Sequence, residues 1–166
     1  MKLQKLRKET FLLLQSRLQD EYNAFYFYRS AANWFENKGY FKAAKFCKTE
    51  SDDELNHAKK IEEYMVNWNM TPLLPNIETP VLEFKDPVDF IEQAYEIEFD
   101  LYQAYELVAG KLFKAEDLGA FKFIQEFIQI QNDSVAEYSD KMNIIEGTNR
   151  GSKFEMLMLE ENLFEG

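Results

Sequence analysis

The stretch Glu50-Ser51-Asp52-Asp53-Glu54-Leu55-Asn56-His57 lies in the middle of a long helical run and decides how the chain is read. Glu54 and His57 are three residues apart, so on a helix their side chains share one face. That face also carries Ala43, Cys47, Ile61, Tyr64 and Trp68, at spacings alternating between three and four. The only histidine of the chain therefore sits beside a carboxylate in an apolar seam. Charge in such a seam is costly unless compensated, and a metal ion is the most economical compensation. A lone Glu-x-x-His pair also arises by chance on solvated helix faces. The reading depends on whether other helices aim ligands at the same point.

Outward from this stretch, the periodicity predicts a helix over about 41–69, preceded by one over about 8–37 that stops at Lys38-Gly39. The short connection makes the two an antiparallel hairpin. The first seam reads Leu14, Leu18, Glu21, Phe25, Tyr28, Ala32, Phe35, with one acid among apolar and aromatic residues. Pro72, Pro75 and Pro80 then exclude a helix and suit a long crossover along the bundle, which makes the next helix parallel to the second. Asp86-Pro87 supplies a cap and a first-turn proline for a third helix over about 87–115, whose seam is Ile91, Ala94, Glu98, Leu101, Tyr105, Val108, Leu112. A fourth helix over about 118–145 carries Ala120, Ile124, Phe127, Gln131, Ser134 and Tyr138, and a short fifth covers about 152–164.

Composition agrees with one all-α domain over residues 1–166: 46% of the residues are hydrophobic, and glycine and proline are scarce. A net charge of -11 argues against a nucleic-acid groove and suits a protein that attracts cations, although an acidic surface also serves solubility. A single cysteine, Cys47, excludes an intrachain disulfide and a cysteine-based zinc or iron–sulfur site. The apolar patch Phe11-Leu12-Leu13-Leu14 is too short for a signal segment, and no stretch approaches a membrane span. A cytoplasmic location is expected.

Each of the four long helices thus carries a polar interruption near mid-seam: Glu21, Glu54 with His57, Glu98, and Gln131. Glu21 is as far from Glu54 as Glu98 is from Gln131, as expected for two helical hairpins related by a pseudo-twofold. Three carboxylates, an imidazole and a carboxamide at one height in a dry core would be severely destabilising without metal. Two divalent ions resolve this, and carboxylate with imidazole suits iron, manganese or zinc.

At these residues the chain resembles the ferritins, specifically the haem-free bacterial type, over nearly its whole length. The matching stretches are Asp20-Glu21-Tyr22 with Tyr28 and Trp34, then Asp53-Glu54-Leu55-Asn56-His57-Ala58. They continue with Tyr95-Glu96-Ile97-Glu98 and Phe121-Lys122-Phe123-Ile124-Gln125 leading to Gln131. The resemblance implies a ferritin-like four-helix bundle with a di-iron ferroxidase centre. One iron would sit on Glu21, Glu54 and His57, the second on bridging Glu54, Glu98 and Gln131. Tyr28 matches the tyrosine beside that centre, or is an aromatic core residue with a satisfied hydroxyl. Glu50, one turn before Glu54, is a supporting candidate or a solvated acid.

The departures from family patterns also inform. The fourth helix offers Gln131-x-x-Ser134, unlike rubrerythrins, bacterioferritins and ribonucleotide-reductase-like proteins, whose halves both supply Glu-x-x-His. Leu55 falls where bacterioferritin has its haem methionine, so no haem is expected. Asp53 and Asp133 match two acids of a third iron site whose other positions are Ile130 and Ser134, so that site is expected to be weak or absent. Phe121 and Ile124 replace the acids that line the threefold channels of animal ferritins. The resemblance further implies Fe²⁺ and dioxygen or hydrogen peroxide as reactants, and a homo-oligomeric cage of twenty-four subunits storing the mineral. The alternatives are a di-metal oxidase or peroxidase of the same fold that forms no cage, and a structural bundle with residual polar core residues.

Overall fold

A computed structural model describes residues 1–164; Glu165 and Gly166, the end of the segment read as one domain, lie outside the described residues. Five helices follow one another: α1 (Lys8–Lys38), α2 (Phe41–Asn67), α3 (Pro87–Lys114), α4 (Leu118–Ile145) and α5 (Lys153–Leu163). No strand occurs among the described residues. The helices end where local chemistry stops them. Gly39 takes the left-handed conformation after α1 (φ 86°) and its N–H bonds back to Glu36 O, so the chain reverses at once into α2. Past α2, Asn69 is itself left-handed (φ 57°), so the helix closes at Asn67 and not two residues later. Asp86 caps α3 by accepting the Asp89 N–H at 2.8 Å, with Pro87 in the first turn.

The crossover after α2 runs the length of α1 in α1's own direction, fixed by side chains of that helix. Gln15 holds the backbone of Leu73 and Gln19 the carbonyl of Asn76 (2.9 Å). Higher up, Ser30 donates to Val81 O (2.6 Å) and Trp34 Nε1 to Glu83 (3.0 Å). From Gln15 to Trp34 the helix rises about 28 Å. The chain therefore re-enters the bundle at the far end, and α3 lies parallel to α2. Among the described residues no helix is long and apolar enough to cross a membrane.

The core comes in two pieces. One is the aromatic half around Tyr28, Phe35, Phe90, Ala94 and Tyr138, closed by Met156, Leu159 and Leu163 of α5. The other surrounds Leu14, Leu18, Ile61, Met65, Leu112, Ile124 and Phe127. Along every long helix the polar interruption falls between the two. The bundle is an apolar solid with a polar layer across its middle.

Candidate metal centre

Glu21 of α1, Glu54 of α2, Glu98 of α3 and Gln131 of α4 are each 2% exposed or less. Their helices bury them because the flanking seam residues are apolar on both sides, leaving the carboxylates no route to water along the stripe. His57 enters from α2 with its side chain 14% exposed and places Nδ1 3.3 Å from Glu54 Oε2 and 3.5 Å from Glu21 Oε2. Its ring meets Phe127 edge-on, with centroids 6.0 Å apart.

Two tyrosines hold the outer acids crosswise. The Tyr28 hydroxyl donates to Glu98 Oε1, and the Tyr105 hydroxyl donates to Glu21 Oε1. The Gln131 amide donates to Glu98 Oε2 at 2.8 Å, so both oxygens of Glu98 are engaged. Glu21 Oε2, by contrast, is fully buried and has no hydrogen-bond donor.

Oxygens of Glu21 and Glu54 and a ring nitrogen of His57 lie within 4.8 Å of one another, as do oxygens of Glu50, Glu54 and Glu98. Glu54 belongs to both groups. A cation placed in either would meet three ligand atoms at once, and the two positions would share a bridging carboxylate.

The electrostatics are those of a layer crowded with negative charge. Burial, then the charges of Glu21 and Glu98, push the Glu54 carboxyl well above the usual range. Glu98 is raised by burial, opposed by its bonds from Tyr28 and Gln131. Burial, with Glu98, Glu137 and Asp53 adding to it and Lys141 opposing, raises Glu50 to about 8. Glu21 goes the other way: burial acts to raise it, but hydrogen bonding with Glu54, His57 and Tyr105 and the His57 charge outweigh that. Glu21 Oε2 lies near Glu54 and 3.5 Å from His57 Nδ1, yet no donor meets it in hydrogen-bonding geometry.

The structure brings together Glu21, Tyr28, Glu50, Glu54, His57, Glu98 and Gln131. Asp53 and Asp133 are both exposed and fall in neither group, and Asp133 is engaged by Gln129 Nε2 at 2.9 Å. Cys47 is fully buried, its thiol pushed well up by burial, and behaves as a small core residue. Tyr105 is an ordinary seam residue by sequence position, but its spacing carries a signal. It follows Glu98 by seven residues, as Tyr28 follows Glu21.

Comparison with known proteins gives a consistent pattern. The sequence profile of the Ferritin-like domain matches residues 12–147. A probable bacterial non-heme ferritin-like protein of Haemophilus influenzae is 26% identical over 149 residues, covering 88% of this chain and 90% of its own. The bacterial non-heme ferritin of Campylobacter jejuni is 25% identical over 143 residues, covering 84% of this chain and 86% of its own. Among solved structures, an open pore ferritin from Archaeoglobus fulgidus superposes with a TM-score of 0.90 at 20% identity, covering 98% of this chain and 99% of its own. At that identity the superposition speaks for the fold alone.

Proposed function

The chain belongs to the ferritin family, and from that premise we propose that it takes Fe²⁺ as substrate at the mid-bundle centre. There it oxidises the metal to Fe³⁺ and stores the product as mineral inside a cage of its own copies. The observation that carries the proposal is Glu21 Oε2, a fully buried carboxylate oxygen without a donor, facing Glu54 and His57. A core tolerates such an atom where a cation completes it.

The first Fe²⁺ takes Glu21, Glu54 and His57 as ligands. The imidazole must be neutral at Nδ1, the nitrogen that faces the two acids. The second takes Glu54 as the shared bridge, together with Glu98 and Gln131. For Gln131 to ligate through its carboxamide oxygen the amide must turn over, since its nitrogen now faces Glu98. Loading displaces the protons that the raised carboxyls hold, so uptake releases acid. Hydrogen peroxide then accepts one electron from each iron: 2 Fe²⁺ + H₂O₂ gives 2 Fe³⁺ + 2 OH⁻. With dioxygen, two protons join and the product is H₂O₂. Hard carboxylate oxygens favour the ferric state, which lowers the cost of oxidation. Tyr28 and Tyr105 keep Glu98 and Glu21 aimed inward, and burial holds both hydroxyls protonated well above their usual range.

Leu12, Leu73, Leu74, Val81 and Leu82 are exposed along α1 and its crossover, which supports contact with further subunits on that side. Together with the family's fold this favours a haem-free, twenty-four-subunit cage over an isolated oxidase. The test is an anaerobic Fe²⁺ titration of metal-free protein followed by air, with the same sample on a sizing column. Two Fe²⁺ per chain and a particle of hundreds of kilodaltons are expected. Wild-type oxidation rates in Glu54→Ala would sink the assignment.

A further inference from the structure

The second ion as drawn above is poorly served. Of its three donors, Glu54 is shared with the first ion, Gln131 is neutral and must turn its amide over to ligate, and Glu98 Oε1 already accepts from Tyr28. The α4 position one turn on is Ser134, which brings no charge.

We propose that Glu50, one turn before Glu54 on α2, is a direct ligand of the second ion and supplies the carboxylate that α4 lacks. Its oxygen lies within 4.8 Å of oxygens of both Glu54 and Glu98, the spread expected of donors around one cation. The two groups share Glu54, and the other of them contains the buried, donorless Glu21 Oε2. They are two lobes of one site, and Glu50 closes the second.

Charge balance argues the same way. Glu21, Glu50, Glu54 and Glu98 carry four negative charges when ionised, and two Fe²⁺ carry four positive. Without Glu50 the loaded centre is left with a net positive charge in a dry layer. Around Glu50 the further charged groups are Glu137 and Asp53, which repel it, and Lys141, which attracts it. Lys141 is held by the Leu163 carbonyl at 2.8 Å and by Glu137 at 3.2 Å, so it is committed to the α4–α5 junction.

This rests on the two-iron reading, and the experiment separates the two failures. Co²⁺ is titrated calorimetrically and by visible absorbance into metal-free wild type, Glu50→Gln, Glu50→Ala and His57→Ala, with helicity and melting checked for each. Wild type should bind two Co²⁺ per chain. Both Glu50 variants should keep one ion at wild-type affinity and bind the other more than roughly a hundredfold more weakly; a loss of only about 10–100-fold would mean that Glu50 acts through another ligand and would overturn direct ligation. His57→Ala should weaken the opposite ion and leave the Glu50-dependent one. Two unchanged Co²⁺ in folded Glu50→Gln and Glu50→Ala would overturn the role of Glu50 while leaving the centre standing. Fewer than two Co²⁺ in wild type would overturn the two-ion reading itself.

Discussion

Tyr105 stands to Glu21 as Tyr28 stands to Glu98, each pair crossing from one hairpin to the other. Removing the Tyr105 hydroxyl leaves a second Glu21 oxygen unpaired in the core. Tyr105→Phe should lower the stability of the metal-free protein by about 1–3 kcal/mol, read from the urea midpoint. The carboxyls make a pH prediction of definite sign. Glu50, Glu54 and Glu98 are all held above the ordinary value of 4.5, so across that window the folded state binds protons that the unfolded chain has released. Metal-free protein should therefore lose stability, on the order of a few kcal/mol, as pH rises from about 5 to the value near 8 reached by Glu50. Urea midpoints that climb across the same range would contradict this. The four mid-seam residues were legible in the sequence because each breaks an apolar stripe. Tyr105 was legible only through its spacing from Glu98, because an aromatic residue in a seam looks like packing until the acid opposite it is placed.

At the scale of elements, acids in apolar stripes turn out to mean two different things. Glu160 interrupts the buried face of α5 formed by Met156, Leu159 and Leu163, but it serves as a cap. Its Oε1 accepts the Ala43 N–H at 2.9 Å, at the start of a helix with no acidic residue of its own in the first turn. Glu160→Ala should cost about 1 kcal/mol by chemical denaturation, with metal binding unchanged. Periodicity predicted α5 and its amphipathic character. It did not predict that α5 caps α2, because that contact depends on where α4 ends. The α1–α2 turn was the opposite case, legible from Gly39 alone. With φ at 86° and nothing within 4 Å of an added Cβ, Gly39→Ala meets only backbone strain, about 1 kcal/mol, and the helicity should not change.

For the molecule as a whole, the polar layer makes stability conditional on its ligand. Two apolar halves meet across a plane of acids, so any cation that binds the folded chain alone raises its melting temperature by mass action. At a free concentration a hundredfold above its dissociation constant, each ion adds about 2.7 kcal/mol. Calorimetric scans should therefore show the metal-free transition raised by Co²⁺ and left unshifted by a chelator alone. The four-helix arrangement and its crossover were legible because seam spacing, prolines and Gly39 all agreed. The division of the core into two halves was not, since it depends on the heights at which four separate seams are brought level.

The two ligand groups are also distributed unequally along the chain. Glu21, Glu54 and His57 all belong to the first hairpin, whereas the group of Glu50, Glu54 and Glu98 draws on both. During synthesis, the residues of the first group have all been made before α3 exists. The second group cannot form until the crossover has brought α3 back alongside α2. Completion of the second group thus reports that α3 has docked against α2, and under the proposed two-iron reading oxidation would wait for that step.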